Sequence, residues 1–269
     1  MTMTALPLLI EPEALELPLD QQRFRLVDLC KTEHYLAGHL PGAVHIAPSR
    51  TAAAAPRPGL LPTGDALQAL FSELGHHPNL HYVVYDDEGG GWAGRFIWLL
   101  DCIGHPHYSY INGGLTAWKQ AGRDLEVAKN QAPASQPQLT VNALHTVTAD
   151  DLMADLNNPA IVIWDARSPE EHRGEKILAA KGGHIPGAVN FEWTAGMDIA
   201  RGLRLRSDLA ETIQALGITP DKQVVTHCQT HHRSGFTYLA AKVLGYPNIK
   251  AYAGSWSEWG NHPDTPVES

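Results

Sequence analysis

The fold of this chain is indicated by the segment Gly183-His184-Ile185-Pro186-Gly187-Ala188-Val189, because the first half carries the same pattern as Gly38-His39-Leu40-Pro41-Gly42-Ala43-Val44. An apolar run that ends in aspartate precedes each copy: Leu26-Val27-Asp28 in the first half and Val162-Ile163-Trp164-Asp165 in the second. Only the second copy has an insertion, around residues 174–181. Such repetition over a long period indicates that one structural unit occurs twice.

A second pair of segments repeats without a gap. Tyr82-Val83-Val84-Tyr85-Asp86-Asp87 aligns with Gln223-Val224-Val225-Thr226-His227-Cys228, and the match continues through the pairs Gly94 and Gly235, Gly104 and Gly245, Pro106 and Pro247, and Trp118 and Trp259. Cys228 therefore corresponds to Asp87, which Glu88-Gly89-Gly90-Gly91-Trp92 follows. The first copy has no thiol at this place, so we interpret it as non-catalytic.

Each copy alternates strands with helices. The short β-branched runs Ile161-Val162-Ile163 and Val224-Val225 are typical of parallel strands buried on both faces, whereas residues 93–103 and 235–244 are apolar with a helical period. This order predicts an α/β protein of two tandem domains, each an open, mainly parallel sheet flanked by helices. A connector rich in Pro, Gln, Ala and Ser lies at residues 124–141, which places the domains at 1–134 and 135–269.

Composition narrows the class of function. The 269 residues are 43% hydrophobic and 18% charged, as in a packed soluble protein, and the net charge of -9 argues against a nucleic-acid partner. No apolar stretch approaches the length of a membrane span. The cysteines at 30, 102 and 228 fit neither a disulfide framework nor a paired zinc motif. We expect free thiols, no metal, no cofactor, and a monomer in the cytoplasm.

Cys228 is the candidate nucleophile. It follows a predicted strand and precedes a helix expected to begin near Ser234, the place where ligands bind in open α/β sheets. Loop amides at a helix N-terminus and nearby cations stabilise a thiolate, and we expect His231, His232 and Arg233 to add positive charge while Ser234 caps the helix. The other two cysteines are interpreted as small core residues.

These residues resemble the rhodanese family, specifically its tandem-domain sulfurtransferases. The matching features span both halves of the chain: Asp165-Ala166-Arg167-Ser168, both Gly-His-hydrophobic-Pro-Gly-Ala segments, the Cys228 loop, and Gly254-Ser255-Trp256-Ser257-Glu258-Trp259. The resemblance implies a ping-pong reaction in which Cys228 takes the outer sulfur of thiosulfate and expels sulfite. The cysteine then holds the sulfur as a persulfide until cyanide, a small thiol or a protein thiol removes it.

In this family, the sequence of the loop after the cysteine differs between enzymes that use different sulfur donors. The sequence has neither the Arg-Lys-Gly that accompanies thiosulfate nor the Gly-Ser-Gly that accompanies mercaptopyruvate, but its loop resembles that of a bacterial thiosulfate:cyanide subgroup. The resemblance implies a substrate-binding or loop role for Arg167 and for Gln229, Thr230, His231, His232, Arg233 and Ser234, with Asp165 in support. Glu171 stands where eukaryotic members carry an anion-binding arginine.

Other functions remain open at this point. A 3-mercaptopyruvate sulfurtransferase or a sulfane-sulfur carrier needs the same persulfide. A cysteine-dependent phosphatase has the related pattern His-Cys-loop-Arg-Ser/Thr, but the loop between Cys228 and Arg233 is one residue shorter here. A metal site of Cys228, His231 and His232 is disfavoured because the histidines are adjacent and no second cysteine lies close in sequence.

Overall fold

The computed structural model describes residues 6–269. Residues 1–5, which begin the predicted first domain, lie outside the described part of the chain. The two halves of the chain each form one central sheet, and the halves pack against each other through their helices.

The sheet of the first half has five strands in the order β1-β5-β4-β2-β3, and every pairing between them is parallel. The strands are β1 (Leu9–Ile10), β2 (Phe24–Asp28), β3 (Val44–His45), β4 (His81–Tyr85) and β5 (Tyr108–Ile111). The helices are α1 (Thr32–Ala37), α2 (Gly64–Glu73), α3 (Gly91–Cys102) and α4 (Gly114–Gln120), with 3-10 turns at Pro12–Ala14 and Pro48–Thr51.

The second half repeats this arrangement. The strands β6 (Ile161–Asp165), β7 (Val189–Asn190), β10 (Gln223–His227) and β11 (Ile249–Ala251) form a parallel sheet in the order β11-β10-β6-β7. The pair β8 (Met197–Asp198) and β9 (Arg204–Leu205) is antiparallel and separate. The helices are α5 (Ala149–Asp155), α6 (Pro169–His172), α7 (Leu209–Ala215), α8 (Arg233–Val243) and α9 (Ser255–Trp259), with a 3-10 turn at Trp193–Gly196.

The predicted α/β architecture is therefore confirmed, including the parallel strands expected from the β-branched runs. Both predicted helices begin two residues earlier than their apolar periods indicate, at Gly91 and Arg233. The reason is that an amide in the first turn of each helix donates to the side chain that directly follows the preceding strand, Asp86 in one copy and Cys228 in the other. This turn is therefore not part of the apolar face.

Helices α3 and α8 form the centre of the contact between the halves. They approach so closely at Gly94 and Gly235 that a Cβ on Gly94 would collide with the carbonyl oxygen of Gly235. One hydrophobic core runs through this contact and contains buried side chains from both halves. At the far end of the two helices, the Asp101 carboxylate accepts from the Tyr238 hydroxyl (2.6 Å) and the Lys242 ammonium (2.7 Å). The two halves thus share one core and one buried polar network.

Candidate active site

The backbone around Cys228 is held by the first residues of helix α9. Cys228 immediately follows β10, and its N–H donates to Ser255 Oγ at 3.3 Å while its carbonyl accepts from the Trp256 N–H at 2.9 Å. Ser255 begins α9 with φ at +54°, a left-handed conformation that aims its hydroxyl at the loop. The tail motif of the sequence therefore supports the base of the Cys228 loop, and the cysteine is only 1% exposed.

The sulfur of Cys228 lies among hydrogen-bond donors. Ser234 Oγ is 3.5 Å from Sγ, and the backbone N–H groups of Thr230 and Ser234 also donate to it. Burial by itself raises the pKa of the Cys228 thiol, but the charge of Arg233 and these hydrogen bonds outweigh burial, so the pKa lies below its ordinary value. The loop is built to hold a sulfur anion.

His231 is a neutral structural residue of the loop. It is fully buried, and Nδ1 lies 2.8 Å from Ser234 Oγ; because that hydroxyl donates to the sulfur, Nδ1 is the donor in this pair. Burial, together with the charge of Arg95, lowers the pKa of His231 well below its ordinary value. The expected positive charge on His231 is therefore wrong, and the histidine instead orients the Ser234 hydroxyl.

The helix starts near Ser234, as expected, but Ser234 does not cap it. Helix α8 begins at Arg233, and the capping position belongs to His232, whose side chain makes no cap hydrogen bond. Ser234 lies inside the first turn with its hydroxyl on the sulfur, so the predicted capping role is wrong. The physical reason is that the amides of this turn are directed at the thiolate, which takes the place of a capping side chain.

Arg233 forms a bidentate ion pair with Glu171. Its two terminal nitrogens donate to the two carboxylate oxygens at 2.6 and 2.9 Å, and the Glu171 side chain is only 2% exposed. Glu171 is fixed in turn by a capping box with Ser168 at the start of α6. Glu171, which stands where eukaryotic members carry an arginine, thus holds the cation whose charge lowers the pKa of the Cys228 thiol.

Arg167 lies beneath the loop and pairs with Asp165. Its guanidinium donates to Asp165 Oδ2 at 2.6 Å and to the Gly183 carbonyl at 2.9 Å, and it stacks 4.3 Å above the ring centroid of Trp256. Burial raises the pKa of Asp165, but the field of His227 and hydrogen bonds from His172 and Arg167 lower it below its ordinary value. Arg167 therefore joins Asp165, the last residue of β6, to helix α9, which supports Cys228.

The side chains of Gln229 and His232 are engaged away from the sulfur. Gln229 Nε2 donates to the carbonyl of Leu178, in the insertion of the second copy, at 3.2 Å. His232 Nε2 pairs with the Glu88 carboxylate of the first half, and its ring stacks on Trp92 with centroids 4.1 Å apart. Gln229 and His232 therefore anchor the two sides of the loop, one to the insertion and one to the non-catalytic half.

The equivalent loop of the first half holds a buried carboxyl group, that of Asp86, whose pKa is raised to about 7 by burial and by the charge of Glu88. The Asp86 carboxylate accepts from the N–H groups of Gly90 (2.9 Å) and Ala93 (3.0 Å), and Ala93 is the counterpart of Ser234. Asp87, the counterpart of Cys228, pairs with His34. The loop amides that stabilise a thiolate in one copy thus donate to the Asp86 carboxyl group in the other.

The other two cysteines are core residues, as expected. Cys30 and Cys102 are free and fully buried, and burial raises the pKa of both thiols. Residues 6–269 contain no cluster of three or more His, Cys, Asp or Glu that could hold a metal ion. In the same range, no helix is long and apolar enough to cross a bilayer.

Sequence reasoning missed Arg95, which lies in α3 of the first half and donates to two carbonyls of the Cys228 loop. It also missed Glu88 and Trp92, which contact His232. The signal for Arg95 was a charged residue inside a helix whose other buried side chains are mainly small or hydrophobic. Such a buried cation needs partners that only another part of the chain can supply.

This geometry defines an α/β protein in which a strand-to-helix loop stabilises a cysteine thiolate at the contact between two copies of one fold. The chain belongs to the rhodanese family, because the rhodanese-like domain matches it twice, at residues 11–121 and 148–262. The chain is 59% identical over 265 residues to a thiosulfate sulfurtransferase of Pseudomonas aeruginosa, covering 98% of this chain and 97% of that one.

A second relative agrees with this membership, and a solved structure shares the fold. A thiosulfate sulfurtransferase of Azotobacter vinelandii is 59% identical over 266 residues, covering 98% of each chain. The crystal structure of YnjE aligns with a TM-score of 0.82 at 20% identity, covering 92% of this chain, which spans 62% of that one. At this identity the structural likeness shows the shared fold alone.

Proposed function

We propose that the protein is a thiosulfate sulfurtransferase that carries sulfur as a persulfide on Cys228. The observation that carries the proposal is the set of donors around Sγ, which lowers the pKa of a thiol that burial alone would raise. A thiolate is the nucleophilic form of cysteine, so this loop increases the fraction of the reactive species at a given pH. The two relatives that are 59% identical are named for the same reaction.

In the first half-reaction, the Cys228 thiolate attacks the outer sulfur of thiosulfate. A new sulfur–sulfur bond forms at the cysteine, the sulfur–sulfur bond of thiosulfate breaks, and sulfite leaves with the bonding electron pair. Ser234 and the loop amides stabilise the attacking anion, and Arg233 supplies positive charge beside it. Thiosulfate is a dianion, so a loop that already stabilises negative charge favours its approach.

In the second half-reaction, the acceptor attacks the outer sulfur of the persulfide. With cyanide the product is thiocyanate, and the Cys228 thiolate is regenerated with its electron pair. A small thiol or a protein thiol accepts sulfur in the same way. The loop that stabilises the thiolate at the start also stabilises it as the leaving group here.

The domain boundary, the compartment and the oligomeric state belong to the same proposal. We assign residues 1–134 to the non-catalytic domain and 135–269 to the catalytic one, with Ser135 still held by the first half through Ser72. Three free cysteines fit a reducing compartment, so we propose the cytoplasm. Both sides of the Cys228 loop come from one chain, which supports a monomer.

The position of Arg233 argues against a phosphatase. Both of its terminal nitrogens are engaged by Glu171, whereas phosphoryl binding requires a guanidinium free to clamp oxygens. A mercaptopyruvate donor or a carrier role uses the same persulfide and is distinguished by kinetics.

Mass spectrometry of the protein after incubation with thiosulfate tests the proposal. We expect a gain equal to one sulfur atom on Cys228, its loss on adding cyanide, and neither change in Cys228→Ser. Steady-state rates with thiosulfate, mercaptopyruvate and a phosphomonoester should rank thiosulfate first. Loading that survives Cys228→Ser would refute the assignment, and loading without turnover to cyanide or a small thiol would favour a carrier.

A further inference from the structure

Arg95 is a buried cation contributed by the non-catalytic half. It lies in α3, is 0% exposed, and occupies the position that Phe236 takes in the catalytic copy. Its guanidinium donates only to backbone carbonyls, and no carboxylate lies within ion-pair distance of it in the described range 6–269. The acceptors are Thr51 (3.0 Å), Pro58 (3.5 Å), Leu60 (2.9 Å), Thr230 (3.3 Å) and His231 (3.1 Å).

Two of these acceptors belong to the Cys228 loop. A trans peptide unit directs its carbonyl and its N–H to opposite sides, so a carbonyl held on one side fixes an N–H on the other. Because Arg95 binds the carbonyls of Thr230 and His231, the N–H groups of His231 and His232 face away from the first half. Arg95 therefore sets the orientation of two successive peptides in the loop that surrounds the sulfur.

The backbone that Arg95 holds is in an unfavourable conformation. His231 has φ at +56°, a left-handed value that few residues with a Cβ adopt and that costs conformational energy unless the surroundings hold it. Its own side chain bonds Ser234, and its carbonyl bonds Arg95, so one contact from each half fixes it. The close crossing of α3 and α8 at Gly94 and Gly235 brings Arg95 within reach.

The charge of Arg95 also differs from that of Arg233. Arg233 is neutralised by a bidentate carboxylate, whereas Arg95 is balanced only by carbonyl dipoles. Burial lowers the pKa of Arg95 to about 10 and the Cys228 thiolate raises it, so the guanidinium stays protonated at neutral pH. A buried cation without a carboxylate partner gains most from an anion forming nearby.

We propose that Arg95 is a positioning residue for sulfur transfer, through which the non-catalytic half holds the Cys228 loop in its anion-binding conformation and adds positive charge to it. The inference rests on the proposed role of Cys228 as the sulfur carrier. It gives the non-catalytic copy a defined role, because the catalytic loop is complete only when α3 lies against it.

The test compares Arg95→Gln and Arg95→Lys with a matched control, Lys242→Met. Lysine keeps the charge but cannot reach the carbonyls of both halves at once. Glutamine loses the charge in addition to these hydrogen bonds. The control breaks the ion pair with Asp101, which is also buried between α3 and α8 but far from the loop. Each full-length variant is measured for thermal stability, for kcat and KM with thiosulfate and cyanide, and for the pH profile of Cys228 alkylation by iodoacetamide.

We expect Arg95→Gln to raise the apparent thiolate pKa by about one unit, which slows alkylation about tenfold at a pH below both values. Its kcat should fall more than its KM rises. Arg95→Lys should show a smaller pKa shift with a several-fold lower kcat, and Lys242→Met should lose stability with an unchanged pH profile.

The proposal is overturned if both Arg95 variants keep the wild-type pH profile and kcat, or if Lys242→Met shifts the profile equally. If Arg95→Gln does not fold, Arg95→Lys alone decides by the same criteria. Wild-type protein is loaded with thiosulfate in parallel. Failure to load would count against the proposed function, while alkylation, which needs no sulfur transfer, still reports on Arg95.

Discussion

The Arg233–Glu171 pair predicts two substitutions with opposite effects on Cys228. Glu171→Gln keeps the shape of the side chain and removes the carboxylate that neutralises Arg233 at 2.6 and 2.9 Å. Arg233 then acts on the sulfur as an unpaired cation, so the pKa of the Cys228 thiol should fall further. Arg233→Gln removes the cation itself, so the pKa of the thiol should rise.

The size of each shift follows from a single charge beside the sulfur. One charge in close, partly buried contact changes a pKa by about one unit or more, which corresponds to about 1.4 kcal/mol in the thiolate equilibrium. Arg233→Gln has a second effect, because it leaves the Glu171 carboxylate buried without its partner, at a cost of about 3–5 kcal/mol of stability. Glu171→Gln should cost less, since the Arg233 side chain is 19% exposed.

The assay is the rate of Cys228 alkylation as a function of pH, with unfolding by urea measured on the same samples. At a pH below all three pKa values, Glu171→Gln should react fastest, the wild type about tenfold more slowly, and Arg233→Gln about tenfold more slowly again. Two profiles that move in the same direction, or a slower Glu171→Gln, would refute the electrostatic account of this loop.

Two further predictions concern stability. The pKa of His227 and that of His76 are both lowered to about 4, chiefly by burial, so the unfolded state binds protons below pH 6.5 that the folded state does not. The stability present above pH 6.5 should be lost as the pH falls toward 4, by about 1.4 kcal/mol per pH unit for His227 and by less for the partly solvated His76. The free energy of unfolding is measured by urea titration at pH 7, 6 and 5. Equal values at the three pH values would contradict this prediction. Gly94→Ala should destabilise the protein by about 1–3 kcal/mol or more, because its methyl group meets the backbone of Gly235. Gly64→Ala, in open space at the start of α2, should not destabilise it. Equal melting temperatures for the two variants would contradict the close helix crossing.

The fold could be predicted from the sequence because its signals are local and occur twice. The β-branched runs that became β6 and β10, and the turn motifs that follow β2 and β6, each depend on neighbouring residues alone. The place of Cys228 followed for the same reason, since a thiol between a strand and a helix is visible in the order of residues.

The charges in the loop could not be predicted in this way. His231 was expected to carry positive charge, but its ring is fully buried and is neutral, and burial depends on helices far away in the sequence. Glu171 was recognised as the replacement for an arginine, yet nothing in the sequence indicated that Arg233 would be its partner across 62 residues. Side-chain partners of this kind are set by packing, which local patterns do not encode.

By itself, the sequence determined that one α/β unit occurs twice, that only the second copy has the thiol, and that the thiol lies where a strand meets a helix. The tertiary structure decided which groups act on the sulfur: the Ser234 hydroxyl, the paired Arg233, and Arg95 from the other half. The physical reason is that strands and helices follow from short-range periodicity, whereas the pKa of a buried group depends on charges and donors brought together from distant parts of the chain.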